Sequence, residues 1–277
     1  MIKFIKRVKE LTDRIGKNHT GAYAAQSAYF FILSLIPIIL LLLTIVQYTP
    51  VTKADVMIAM VRVFPEKNMQ DFIIGIVNQV YNQSRTVIPV TAVVALWSAG
   101  KGVMAISYGL NITYKIRETR NYVFMRIRAS MYTILFIIAI VLGLVLSVFG
   151  NSISIFINAR FPFLKDTTEY ILEMRTLVTF IILFGFSLMI YRFLPNHKAK
   201  YSEQVPGAIF TAVAWEVISF IFSMYLTIFR GFSGLYGSMT AIILVMLWLY
   251  FSMYAILLGG LLNCLWQEKK EKNEKTA

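Results

Sequence analysis

"VVALWSAGKGVMAISYGL", residues 93–110, decides how this chain is to be read. It is apolar enough for a bilayer-spanning helix, yet Lys101 sits near its middle. An α-helix rises about 1.5 Å per residue, so ~20 apolar residues cross the hydrocarbon of a membrane. A cation at that depth costs ~2.5–3.5 kcal/mol on insertion scales unless it is paired or hydrated. The stretch therefore demands both a membrane setting and a partner for its lysine.

The composition supplies the setting. Of 277 residues, 58% are hydrophobic and 15% charged, and the mean hydropathy is +0.67, too apolar for a soluble domain of this length. Six stretches are long and apolar enough to span: about 22–48, 87–110, 129–154, 176–194, 205–228 and 239–264. Residues 49–86 are broken by Pro50, Pro65 and charges. Within them Met69, Phe72, Ile73, Ile76, Val77 and Val80 recur at helical spacing, predicting an amphipathic helix in the membrane interface. Residues 1–21 form a basic amphipathic amino terminus, and the apolar run after it is too long for the core of a cleavable signal, so it reads as an uncleaved first span. Residues 265–277 form a charged tail.

The formal charge of +13 reports topology before it reports partners. With an even number of spans both termini share a side. That side, comprising the amino terminus, the loops after the second and fourth spans and the tail, carries eighteen of the 27 Lys and Arg residues, and the other side carries eight. The richer side is cytoplasmic by the positive-inside rule, and its basic loops suit anionic lipid headgroups. No polyanionic partner is needed to explain the charge, and none is expected. Metal and cofactor chemistry are likewise not expected. Cys264 is the single cysteine, and His19 and His197 stand far apart, whereas a zinc site needs clustered ligands.

Around Lys101, the small residues Ser98, Gly102, Ala105 and Gly109 step by four, three and four, forming one helical stripe on which two backbones approach closely. At 100° per residue Lys101 lies roughly 60° from the centre of that stripe, which predicts that it points at packed protein or a cavity. The partner it needs is found in the fifth span. Glu216 is a carboxylate deep in "VPGAIFTAVAWEVISFIFSMYLTIF", on a face with Ala212, Ser219 and Ser223. Both residues lie ~15 Å from the cytoplasmic side at 1.5 Å per residue, so a Lys101–Glu216 ion pair is expected, with Ser98, Gly102, Ser219 and Ser223 around it. The competing reading has Lys101 snorkelling to the surface and Glu216 protonated. Asn111 and Arg192 are further candidates near the cytoplasmic mouth. Pro37 should kink the first span. Ser147, Asn151, Ser154 and Asn158 make a polar stripe ending the third span, and Gly231, Gly234 and Gly237 mark a tight turn between the last two.

The strings "AAQSAYFFILSLIP", "LWSAGKGVMAISYGLNITYKIRETR", "YRFLP", "VPGAIFTAVAW" and "YGSMTAIILVMLWLYFSMYAILLGGLLN" resemble, in order and spacing, the YihY/BrkB family of bacterial inner-membrane proteins. The resemblance runs from about residue 20 to residue 264. It implies six transmembrane helices and a bacterial plasma membrane, and it brings no defined activity. One departure stands out. Family members often end the last span with Leu-Gly-Gly-Glu, and here Leu261 occupies the glutamate's place.

The fold expected is therefore an all-α integral membrane protein. Its first span is kinked, an amphipathic extracytoplasmic segment joins spans one and two, and both termini are cytoplasmic. Three function classes follow. A transporter or flippase-like protein for a lipidic or amphipathic solute accounts for the intramembrane charges. A scaffold or assembly factor would use the small-residue stripes for packing or homo-oligomerisation. An enzyme is the least favoured class. The family was once labelled a transfer-RNA-processing ribonuclease, but the cytoplasmic acids here are scattered over short segments, without the clustered ligands that metal-dependent cleavage requires.

Overall fold

The computed structural model describes residues 2–47, 53–54, 57–58, 74–75, 77–78, 87–135, 175–197, 199–228 and 238–276. Among them there is no strand. The helices are α1 (Ile2–Lys17), α2 (Thr20–Gln47), α3 (Val87–Thr113), α4 (residues 122–135), α5 (Arg175–Phe193), α6 (Tyr201–Ile228) and α7 (Ser238–Thr276). Each of the six apolar stretches overlaps one of α2 to α7. The interfacial segment after Pro65, the third-span polar stripe and the glycine turn lie outside the described residues, apart from isolated positions of the first. α2 runs unbroken across Pro37.

The chain divides into two compact units. One comprises Met1–Ile32, Gly100–Tyr132 and Phe180–Ala277, and the other Leu33–Ala99 and Thr133–Thr179. Everything described below about packing belongs to the first.

Local chemistry sets the helix ends. His19 joins α1 to α2 with a φ of 49°, and its carbonyl accepts the N–H groups of Ala22 and Tyr23. α3 stops in a Schellman motif. Lys115 takes the left-handed position at φ 57°, its N–H donates to Ile112, and the Ile116 N–H reaches back to Asn111 at 2.8 Å. Glycine is the usual occupant of that position, since a side chain there meets its own backbone. α6 opens with half a capping box, in which the Glu203 carboxylate accepts the Lys200 N–H at 3.3 Å. Five residues into α6, Pro206 removes a helical donor.

α7 does not end with the apolar run at 264 but continues to Thr276 through the charged tail. "QEKKEKNEKT" is rich in Glu, Lys and Gln, good helix formers, and Lys270 and Glu274 pair one turn apart at 4.0 Å.

Among the described residues two helices are long and apolar enough to cross a membrane. They are Tyr201–Tyr225, with mean hydropathy 1.8, and Ile243–Glu274, with 2.0. Only 28% and 44% of their most apolar windows is buried within the protein. A core helix of a soluble protein would be mostly buried. Here Val217, Phe220, Ile221 and Met224 on α6 and Ile243, Val245 and Met246 on α7 point outward, where only lipid makes such exposure favourable.

Candidate functional site

The α3 stripe is a packing seam. A Cβ on Gly102 would lie 2.9 Å from the Phe31 ring, and one on Gly109 would lie 2.8 Å from Leu257 and 3.1 Å from Tyr23. Ala105 is buried between them, and the Ser27 hydroxyl donates to the Gly102 carbonyl at 2.9 Å. α2 and α7 thus fill the small-residue surface, leaving no room there for a long side chain.

Lys101 consequently lies outside the seam. It is exposed, on the helical face of Val93 and Trp97, which are also exposed, and its ammonium stands 5.3 Å from the centre of the Phe30 ring. The spacing put it against packed protein or a cavity, and here it is exposed outside the seam. The roughly 60° offset suffices to clear the seam, and a ring face supplies a cation–π contact instead of a carboxylate.

Glu216 is half-buried on α6, and its Oε1 is enclosed without a hydrogen-bond partner. No ion pair joins it to Lys101. Of its expected surroundings, Ala212 is fully buried, Ser223 is exposed, and the Ser219 hydroxyl accepts the Trp248 indole N–H at 3.2 Å. Trp248 in turn meets Trp215 edge to face, with ring centres 5.5 Å apart. Ser98 and Gly102 stay near Lys101 only through the helix they share.

The densest polar cluster joins α5, α6 and α7. The Tyr191 hydroxyl donates to the Ile256 carbonyl at 2.6 Å and shares a 2.6 Å hydrogen bond with the Thr211 hydroxyl, which also approaches the Ala255 carbonyl at 3.3 Å. One turn away Asn263 binds α6 beside its proline. Its Oδ1 accepts the Gly207 N–H at 2.6 Å, and its Nδ2 donates to Gln204 Oε1 at 3.1 Å. The Tyr114 hydroxyl donates to the same Gln204 oxygen at 2.8 Å. Hydropathy and charge spacing do not single out these residues. Their one visible signal is polar side chains beside the small residues of "VPGA" and "LLGGLLN".

Asn111, by contrast, is a candidate from its place at the end of an apolar run, and it anchors a clasp. Its Nδ2 donates to Glu118 at 2.6 Å and its Oδ1 accepts the Asn196 N–H at 2.8 Å. Arg120 holds Glu118 with three bonds, from its backbone N–H at 3.0 Å, Nε at 2.8 Å and Nη2 at 2.7 Å, and also donates to the Leu194 carbonyl. Those bonds hold the Glu118 carboxyl well below its ordinary 4.5, at about 2. Arg192 stacks near the rings of Tyr201 and Phe193, at 5.2 and 5.8 Å. On the same unit Glu268 takes Arg14 at 2.8 Å and Lys115 at 3.1 Å, tying α1 and the end of α3 to α7. Among the described residues no three His, Cys, Asp or Glu side chains come together as a metal site.

Outward apolar helices around a polar, hydrogen-bonded centre define a helical membrane protein. Comparison with known proteins makes that specific. The family described as virulence factor BrkB matches residues 11–277, and the chain belongs to it. It is similar to a Bacillus subtilis protein named as ribonuclease-like, YfkH, with 33% identity over 269 residues, covering 95% of this chain and 96% of that one. UPF0761 membrane proteins of Xanthomonas campestris and Xanthomonas axonopodis are 26% identical over 164 residues, and the match covers 57% of this chain and 39% of theirs. No solved structure matches.

Proposed function

We propose that this protein is a six-span plasma-membrane transporter or flippase-like protein for a lipidic or amphipathic solute. In this reading both termini are cytoplasmic, the first span bends at Pro37, and an amphipathic extracytoplasmic segment joins spans one and two. The observation that carries the reading is the state of Glu216 and Lys101. One is a carboxylate with an enclosed oxygen lacking a hydrogen-bond partner, the other a cation on an outward apolar face, and they are not spent on each other. Ionisable groups kept at such depth without mutual neutralisation mark paths for ions or polar headgroups. Small-residue contacts support it from the other side, because Gly102, Ala105 and Gly109 pack within the chain rather than lying free for a scaffold's partner. The protein is not proposed to cut RNA.

Reconstituted vesicles holding fluorescent phospholipid in both leaflets test this. Added dithionite bleaches the outer-leaflet label at once and the rest only as lipid crosses. Wild type should drive bleaching past the outer half, with Lys101→Met and Glu216→Gln slowing it. Bleaching that stops at half with correctly inserted wild type, as in protein-free vesicles, overturns lipid movement and returns the scaffold reading.

A further inference from the structure

A shallow, part-open cleft lies where α3 meets the start of α4, lined by Met104, Ser107, Met125, Ala129, Leu194 and the side chains of Arg120 and Arg128. Arg120 already has its carboxylate in Glu118, so the guanidinium at this cleft that still needs an anion is that of Arg128. Glu118 is already held by both Arg120 and Asn111. Arg128 is half-buried, its guanidinium 5.9 Å from the Tyr132 ring centre, and among the described residues no carboxylate forms an ion pair with it. Its surroundings on α4 point to the kind of anion. Phe124, Ile127 and Met131 recur with it at helical spacing and are all strongly exposed, at 56%, 60% and 62%. A cation set into an outward apolar stripe is the arrangement that grips a phosphate at the headgroup level while acyl chains lie along the helix below.

We propose that the mouth of this cleft holds the phosphodiester of an anionic phospholipid, with Arg128 as its main ligand and Arg120 flanking it. The proposal rests on the membrane-spanning reading above. The cleft itself, about 10 Å³, has room for little more than a water molecule, so a phosphate must sit at its mouth and be held largely from outside, as a lipid is by the bilayer. Guanidinium suits the role, since its planar fork offers two parallel donors to phosphate oxygens.

The test uses the full chain, purified and stripped of lipid in neutral detergent. Its binding of short-chain phosphatidylglycerol, phosphatidylcholine and inorganic phosphate alone is followed by native mass spectrometry and thermal shift. Wild type should retain phosphatidylglycerol over phosphatidylcholine. Arg128→Gln should weaken phosphatidylglycerol about fivefold, Arg128→Lys should restore part of the loss, and Lys200→Gln, elsewhere on the basic surface, should change nothing. Equal retention of the two lipids by wild type overturns the proposal without recourse to any variant. So does an Arg128→Gln protein that binds like wild type, or inorganic phosphate that stabilises as well as the lipid does. Failure of the wild type to insert into vesicles would instead remove the membrane-spanning reading on which the proposal stands.

Discussion

Gly207 of α6 and Gly259 of α7 meet so closely that a Cβ built on either would overlap the carbonyl oxygen of the other. Neither φ is unusual, so the requirement is for space. Thr211 and Tyr191 crowd Gly259 from the side, and Asn263 crowds Gly207. The two long apolar helices therefore touch backbone to backbone, which is what brings Asn263 within reach of the Gly207 N–H.

Gly207→Ala and Gly259→Ala should each destabilise the protein by ~1–3 kcal/mol or more, since rigid backbone cannot yield as a side chain would. Gly185, on α5, has open space within 4 Å of where a methyl group would stand, and Gly185→Ala should be neutral or slightly stabilising. Thermal unfolding in detergent separates the cases. Equal behaviour of all three would show that the close approach is absent.

Tyr191→Phe leaves the ring packed and removes only the hydroxyl, with its bonds to the Ile256 carbonyl and the Thr211 hydroxyl. A loss of ~1–3 kcal/mol is expected from the two hydrogen bonds. Tyr191→Phe with Thr211→Val should recover part of it in the same unfolding measurement, because the buried Thr211 hydroxyl, left with only its longer contact to Ala255, is then gone.

The Glu118 clasp makes stability depend on acid. Its carboxyl titrates at about 2 in the folded protein against an ordinary 4.5, so its contribution is whole above 4.5 and is lost as pH falls from there toward 2. Glu118→Gln should lower the wild-type Tm at neutral pH and flatten the decline of Tm over that acidic range. An unchanged acid slope in the variant would assign the pH dependence to other groups.

At Lys115 two effects oppose each other. Glycine would relieve the left-handed backbone by ~1 kcal/mol, while the exposed ion pair to Glu268 is worth ~0–1 kcal/mol. Lys115→Gly should therefore match or exceed wild-type stability, whereas Lys115→Ala, which loses the pair and keeps the strain, should fall below both. The order of the three Tm values is the check.

Because Lys101 sits against Phe30 and not against Glu216, a double-mutant cycle with Lys101→Met and Glu216→Leu should give a coupling within ~0.5 kcal/mol of zero. A strong destabilisation by each single change, recovered in the double, would restore the ion pair expected from the spacing.

Hydropathy is carried by consecutive residues, so the membrane class and the positions of the apolar helices were legible from the chain alone. The stretches 205–228 and 239–264 needed no tertiary information to be read as long apolar helices, and α6 and α7 cover them. The end of the apolar run at 110 likewise put Asn111 near the cytoplasmic mouth. The helical wheel also placed Ser98, Gly102, Ala105 and Gly109 on one face, and the last three proved to lie in a seam.

What spacing did not determine is which side chains face one another. Residue counting puts Lys101 and Glu216 at the same expected depth, but depth fixes one coordinate of three, and the rotation of α3 set by Phe31 and Tyr23 turns the lysine outward. Gln204 and Asn263 are 59 residues apart, and their hydrogen bond exists because two glycines allow α6 and α7 to close. Apolarity is a local sum that any window of sequence reveals. Contact depends on how several helices rotate to fill the space they share, and only the tertiary structure decided that.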